Sequence, residues 1–345
     1  MTVFALSMVN ASFFQLPRAT QYAAWALLAL AGVMIWDQSH WWQLRDEYAF
    51  GYIVPLFVAY VLYERWPRIA ATLLPTGNAN EGDAVSGPAQ APDWLQWLAA
   101  AIAVCMLVGG AFLFLLGGVY RAFEGPNLIT SNFLAFGFAN MLMAGAYLYS
   151  DERADGYPVA WRRRLLLTSL FLFPAIIWML SVPLFSAVHL RISTFLMNQV
   201  AVVVFHTFDV LGFAIIREGS VLQLPAGDVG VEDACSGIRS LTACLFAGSF
   251  LGAVYFEQLW KKVFMVATAM LFAFINNIFR SLFLTGWAYA KGPDALNSHV
   301  YLFGMDLGNI HDFTGWVVLG FTVIGLLLCI QLFSIRFEYE DPDTA

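Results

Sequence analysis

Apolar runs alternate with short polar segments along almost the whole chain. The runs cover 20–36, 49–63, 94–116, 128–149, 165–184, 237–256, 263–289 and 313–333. Most approach the length of about 20 residues that carries a helix across a hydrocarbon core of about 30 Å. Pro174 predicts a kink in the fifth run, because it lacks the N–H that a helix interior needs. The pattern changes over 185–236. There 195–212 is apolar but interrupted by Asn198, Gln199, His206 and Asp209, which predicts an amphipathic helix lying in the membrane interface. The stretch 214–234 alternates apolar and polar residues around Glu218-Gly219 and Ala226-Gly227, which predicts a short β-hairpin or meander. Residues 1–19 are broken by Asn10, Gln15 and Pro17, with no positive charge before Arg18, and do not read as a cleaved signal peptide.

The fold expected is an all-α polytopic bundle of about eight transmembrane helices, with an interfacial helix and a short hairpin ahead of Cys235. It forms one membrane domain over 1–345: spans one and two in 20–63, a cytoplasmic loop over 64–93, spans three to five in 94–184, an extracytoplasmic segment over 185–236, spans six to eight in 237–333 and an acidic tail over 334–345. Composition supports this reading. The chain is 60% hydrophobic and only 12% charged, about half the charge of a soluble domain, with a mean hydropathy of +0.69. The net charge of -7 arises in loops and tails. No basic patch with interleaved aromatics is present, so nucleic acid is not an expected partner. With the N-terminus inside, inner segments hold Arg18, Arg65, Arg68, Arg153, Arg162, Arg163, Arg164, Lys261, Lys262 and Arg336. Outer segments hold Arg45, Arg121, Arg191, Arg217, Arg239 and Lys291. That balance follows the positive-inside rule. A membrane crossing by 195–212 would put Lys261 and Lys262 outside.

Cys105, Cys244 and Cys329 lie inside apolar runs and read as small buried hydrophobes. No CxxC or Cys/His spacing suggests a metal, and no cofactor is expected. Cys235 alone borders water, at the mouth of the sixth span in DACSGIRS (233–240). Helix N-termini and nearby cations favour the reactive thiolate. Arg239 lies one turn later on the same face, and Ser236 is a competing hydroxyl without a supporting motif. Arg280 lies about 26 Å into the seventh span, near the outer boundary, with Asn276 and Asn277 one turn before it. An Arg inside a span usually faces a polar interior with a partner. Asn309, His311 and Asp312 precede the eighth span, as helix-start residues do, and a helix N-terminus favours a neutral imidazole. His40, His189, His206 and His299 are less clearly tied to a helix mouth. Cys235, Arg280 and His311 share one depth. Together they form a candidate site, with Asn276, Asn277, Arg239, Ser236 and Asp312 around it, against the plainer readings of a structural or snorkelling Arg and an interfacial His. A transporter or assembly protein is the alternative class, but one deep Arg without an internal repeat gives it little support.

The chain resembles the exosortase/archaeosortase family of integral membrane transpeptidases. The match lies in REGSVLQLP (217–225), DACSGIRSL (233–241), NNIFR (276–280) and HDFTG (311–315), with a weaker one in YAFGYIVPLF (48–57). It covers the second span through the eighth. Where many members carry a Ser-His pair this chain has Ala49 and Phe50, and 64–93 reads as an insertion. The resemblance implies a catalytic set of Cys235, Arg280 and His311. It implies a multi-pass protein of a bacterial or archaeal cytoplasmic (inner) membrane with its active site facing the periplasm or exterior. The implied substrates are exported proteins whose C-terminal sorting signal joins a Pro-Glu-Pro-like motif, a transmembrane helix and a basic tail. Cleavage would pass them to an acceptor of unknown kind, or to water if the protein only hydrolyses.

Overall fold

The computed structural model describes residues 12–75, 92–230, 238–302 and 305–334. The chain forms two compact units, Met1–Phe185 and Ser186–Ala345. The first unit holds helices α1 (Arg18–Leu44), α2 (Val54–Leu73), α3 (Asp93–Glu124), α4 (Leu128–Leu148), α5 (Trp161–Leu170) and α6 (Leu172–Leu180), with a 3-10 turn over Asp46–Ile53. The second holds α7 (Ser186–Val210), strands β1 (Ile216–Glu218), β2 (Val221–Leu224) and β3 (Gly227–Gly230), then α8 (Ile238–Tyr255) and α9 (Leu259–Lys291). A 3-10 turn over Pro293–Asn297 leads to β4 (His299–Leu302), β5 (Met305–Asn309) and α10 (Ile310–Ser334).

In the first unit α3 and α4 form a tight antiparallel hairpin. A Cβ on Gly137 would stand 2.7 Å from the Gly110 carbonyl oxygen, and one on Gly117 3.0 Å from that of Thr130. Glycine lets two backbones approach this closely in lipid, where helices gain little from hydrophobic burial. Helix α1 runs antiparallel to α4: Thr20 donates to the Tyr149 carbonyl (3.0 Å) and Trp41 Nε1 to Ser131 Oγ (2.8 Å). So α1 and α3 are parallel, and their C-terminal ends meet where Arg121 Nε donates to Asp37 Oδ1 at 2.7 Å. Asp37 is fully buried, and Arg121 also covers the Trp36 ring. This neutralisation explains a difference from the sequence reading, which ended the first helix at Trp36. The apolar-to-polar switch at Asp37 marks an internal ion pair, and the helix runs on to Leu44. Likewise α2 extends to Leu73 through residues expected to be loop.

The expected break at Pro174 is present. Helix α5 ends at Leu170 and α6 starts at Leu172. Pro174 cannot donate to the carbonyl four residues earlier, and Arg65 of α2 donates to that Leu170 oxygen instead.

Among the described residues eight helical stretches are long and apolar enough to cross a membrane: α1, α3, α4, α5 with α6, α7, α8, α9 and α10. The chain is a polytopic helical membrane protein. The set includes α7, expected in the interface, and leaves out α2, whose last turns carry Glu64, Arg65 and Arg68.

In the second unit α9 is the central rod, about 50 Å long at 1.5 Å per residue. Helix α8 packs antiparallel to it through glycines: a Cβ on Gly248 would meet that of Ala269 at 2.7 Å, and Gly252 faces Lys262. Helix α10 is also antiparallel, with Phe264 against Phe333 at one end and Asn276 bonded to Thr322 further along. The stripe Met197, Val200, Ala201, Val204 and Phe208 of α7 has the 3-4 spacing of one helical face. It packs with Leu222 of β2, Leu284 of α9 and Ile310 of α10. The expected hairpin is a three-stranded antiparallel meander, β1-β2-β3, whose Leu224 and Val229 bury Ala288 near the end of α9. Strands β4 and β5 form a second hairpin that the sequence reading did not anticipate.

Candidate functional site

Arg280 stands about six helical turns into α9, and His311 is the second residue of α10. Antiparallel packing brings them into contact. Nη2 of Arg280 lies 3.1 Å from His311 Nδ1, 3.2 Å from Nε2 and 3.0 Å from the His311 carbonyl oxygen. A guanidinium has no acceptor, so the ring nitrogen facing Nη2 accepts. One cation thus fixes both the ring and the backbone of His311. Gly315, one turn on, faces the same guanidinium: a Cβ there would stand in ordinary contact, 3.8 Å from Nη2. The Nε–H of Arg280 is buried with no acceptor among the described residues.

The start of α10 is held on three sides. Asn309 Oδ1 accepts from the Asp312 amide at 2.7 Å, a helix cap that satisfies one of the orphan donors of the first turn. The Ile310 amide donates to the Ser298 carbonyl at 3.0 Å, closing the base of the β4–β5 hairpin. Across that hairpin His299 Nδ1 meets Asp306 Oδ2 at 2.9 Å, and Asp306 Oδ1 accepts from the Gly308 amide. Gly308 has φ +85°, which a side chain would strain. The hydrogen bond from His299, and then that from Gly308, hold the Asp306 carboxyl below the usual carboxylate range.

The expected supporting residues divide. Asn276 and Asn277, adjacent on α9, point in different directions. Asn276 Nδ2 donates to Thr322 Oγ1 at 2.8 Å and ties α9 to α10 one turn below the Arg280–His311 contact. Asn277 is buried and lines a void of about 10 Å³ with Leu196, Leu241 and Ala273. Asp312 is exposed, its Oδ1 3.7 Å from His311 Nδ1. Arg239 is exposed in the first turn of α8. Cys235 and Ser236 lie outside the described residues. Of the other cysteines, Cys244 is buried and Cys329 half-buried, but Cys105 is exposed on α3 rather than buried as expected. Its neighbours on that surface are apolar, as on a lipid-facing helix. Sequence reasoning missed Thr322, whereas Asn309 caps α10 as a helix-start residue was expected to. Among the described residues no group of three or more His, Cys, Asp or Glu side chains could hold a metal ion.

Beside His311 opens a cavity of about 370 Å³. Its walls are the end of β3 (Asp228, Gly230), the 3-10 turn (Asp294, Asn297) and the start of α10 (Asn309, His311).

Fold and site together define a polytopic helical membrane protein with a paired Arg and His at one end of its second unit. The model of the transmembrane exosortase family matches residues 41–328, and the chain belongs to that family. No curated protein and no solved structure matched the chain.

Proposed function

We propose that this protein is a cysteine transpeptidase that cleaves a C-terminal sorting signal from exported proteins at the outer face of the membrane. The observation that carries the reading is the Arg280–His311 contact in a chain of the exosortase family. Cys235 is the nucleophile. Chain length tethers it to this pair from both sides. It is three residues from Ile238, so their Cα atoms are within about 11 Å. The α8–α9 packing opposes Gly248 to Val266 and Leu241 to Ala273 and Asn277. Continued, that register sets Ile238 against the turn that ends at Arg280. On the other side, Gly230 borders the same cavity as His311 and is five residues from Cys235.

In the reaction the accepting ring nitrogen of His311 gives up its hydrogen bond from Arg280 and takes the Cys235 proton, and the thiolate attacks the scissile carbonyl. Arg280 stabilises the oxyanion. His311 then protonates the leaving amine. The thioester passes to an acceptor. Ser236, Arg239, Asn277 and Asp312 support the site.

Lys261 and Lys262 lie at the opposite end of α9 from Arg280. The positive-inside rule therefore directs the Arg280 end outward, toward the periplasm or exterior of a cytoplasmic membrane. Helix α7 lies in the interface. Its apolar stripe packs on Leu222 of the meander, and an open three-stranded sheet has edge groups that hydrocarbon cannot satisfy.

The test is coexpression with an exported protein that ends in a motif, a hydrophobic helix and a basic tail. Cys235→Ala should leave the precursor uncleaved at normal enzyme levels. Normal processing in that variant would sink the proposal. Mass spectrometry of the new C-terminus separates transfer, which leaves an adduct, from hydrolysis, which leaves a free carboxylate.

A further inference from the structure

The cavity beside His311 is a built concavity, and its chemistry selects a ligand. Gly227 lets β3 press against the 3-10 turn: a Cβ there would stand 3.1 Å from Pro293 Cγ, and its φ is +131°. This close approach makes Asp228 and Asp294 facing walls of one space with His311. The volume of about 370 Å³ falls at the low end of small-ligand sites, roughly 300–1,000 Å³. Both carboxyl-bearing residues of the lining are aspartates, and no Lys or Arg is among its described lining residues. Asn297 and Asn309 add amide groups able to accept hydrogen bonds. A cleft lined by one sign of charge concentrates the opposite charge. The two carboxylates draw in an ammonium, while the Arg280 guanidinium in contact with His311 is left to the oxyanion.

We propose that this cavity is the acceptor subsite, and that it binds a primary amine as its ammonium ion, held by Asp228 and Asp294 beside His311. This rests on the transpeptidase reading above and specifies its acceptor. The ammonium gives one proton to solvent. The resulting amine attacks the thioester carbonyl; the new C–N bond forms and the C–S bond breaks. The second amine proton passes through His311 to the departing Cys235 sulfur. The products are an amide and the free thiol, so protons and electrons balance with no redox partner.

The experiment uses the full chain in detergent with the exported test protein described above. Glycinamide serves as an acceptor that is mainly cationic at neutral pH, and hydroxylamine as one that is mainly uncharged there. Half-saturating concentrations for adduct formation are measured for both, and their ratio is compared between wild type and Asp228→Asn/Asp294→Asn. The ratio of glycinamide to hydroxylamine should rise at least about tenfold in the double variant. It should also rise with salt in the wild type, as a screened attraction does. An unchanged ratio overturns the subsite. Cleavage that ends only in hydrolysis with either amine overturns it too, while the peptidase reading stands. No cleavage by the wild type removes the transpeptidase reading and the subsite with it.

Discussion

Arg280 does two things with one nitrogen: it fixes the imidazole of His311 and holds the backbone at the mouth of α10. Replacing it with Lys keeps the charge but loses the planar fork, so one group can no longer serve His311 and a developing oxyanion together. Arg280→Lys should therefore lower the rate of signal cleavage by at least about tenfold. Size-exclusion profiles in detergent should stay unchanged. A wild-type rate in that variant would remove Arg280 from the chemistry. Arg280 was legible in the sequence because a cation in an apolar run is conspicuous. Thr322 was not. A threonine is nearly neutral to hydropathy, and its role depends on the antiparallel register that sets it opposite Asn276. The adjacent pair Asn276-Asn277 was read as one polar face. The helix rotates about 100° per residue, and the two amides serve different neighbours.

At the scale of elements, the β4–β5 hairpin delivers His311, and its charge state has a consequence. His299 and Gly308 lower the Asp306 carboxyl below its ordinary value of 3.8. A depressed carboxyl adds stability that is present above the unfolded-state value and is lost as pH falls through the folded one. Protection of the Gly308 and Ile310 amides in hydrogen exchange should hold steady from neutral pH down to about 4. It should then fall as the carboxyl protonates. Asp306→Asn should show weaker protection at neutral pH and no such fall. Equal acid sensitivity in both proteins would assign the effect to other groups. The meander was legible because Glu218-Gly219 and Ala226-Gly227 punctuate an alternating run. This hairpin was not. Its strands are short, with a register shift between His299 and Tyr301, and its apolar residues read as a connection between spans.

At the scale of the whole molecule, a count of about eight spans was legible and matches the described helices long and apolar enough to cross, but hydropathy alone does not say which ones cross. Helix α2 shows why. Its charged last turns keep it out of the set chosen by length and composition. From the contacts of the first unit we propose that it crosses nonetheless. Helices α1 and α3 both span and run parallel, ending together at Asp37 and Arg121. The chain between them must return to the starting side, and α2 is the helix in that stretch. Its two ends agree. Before it, Trp42 donates to the Ser181 carbonyl and Tyr48 accepts from the Leu184 amide. At its far end Trp66 donates to Ser12, and the Leu73 carbonyl accepts from Ala154. Of the three charges in those turns, Arg65 is buried against Leu170 and sits inside the bundle, while Glu64 and Arg68 are exposed near the end of the helix. Arg18, Arg65, Arg68, Arg153 and Arg162 to Arg164 all gather at that far end, and only Arg45 and Arg121 near the other. The positive-inside rule predicts a cytoplasmic far end. Single cysteines replacing Leu74 and Arg153 in a background without native cysteines should be shielded from an impermeant maleimide in intact cells. One replacing Arg45 should label. Labelling of the Leu74 position from outside, with the Arg45 position also labelled, would show that α2 does not cross. The parallel arrangement of α1 and α3 would fall with it.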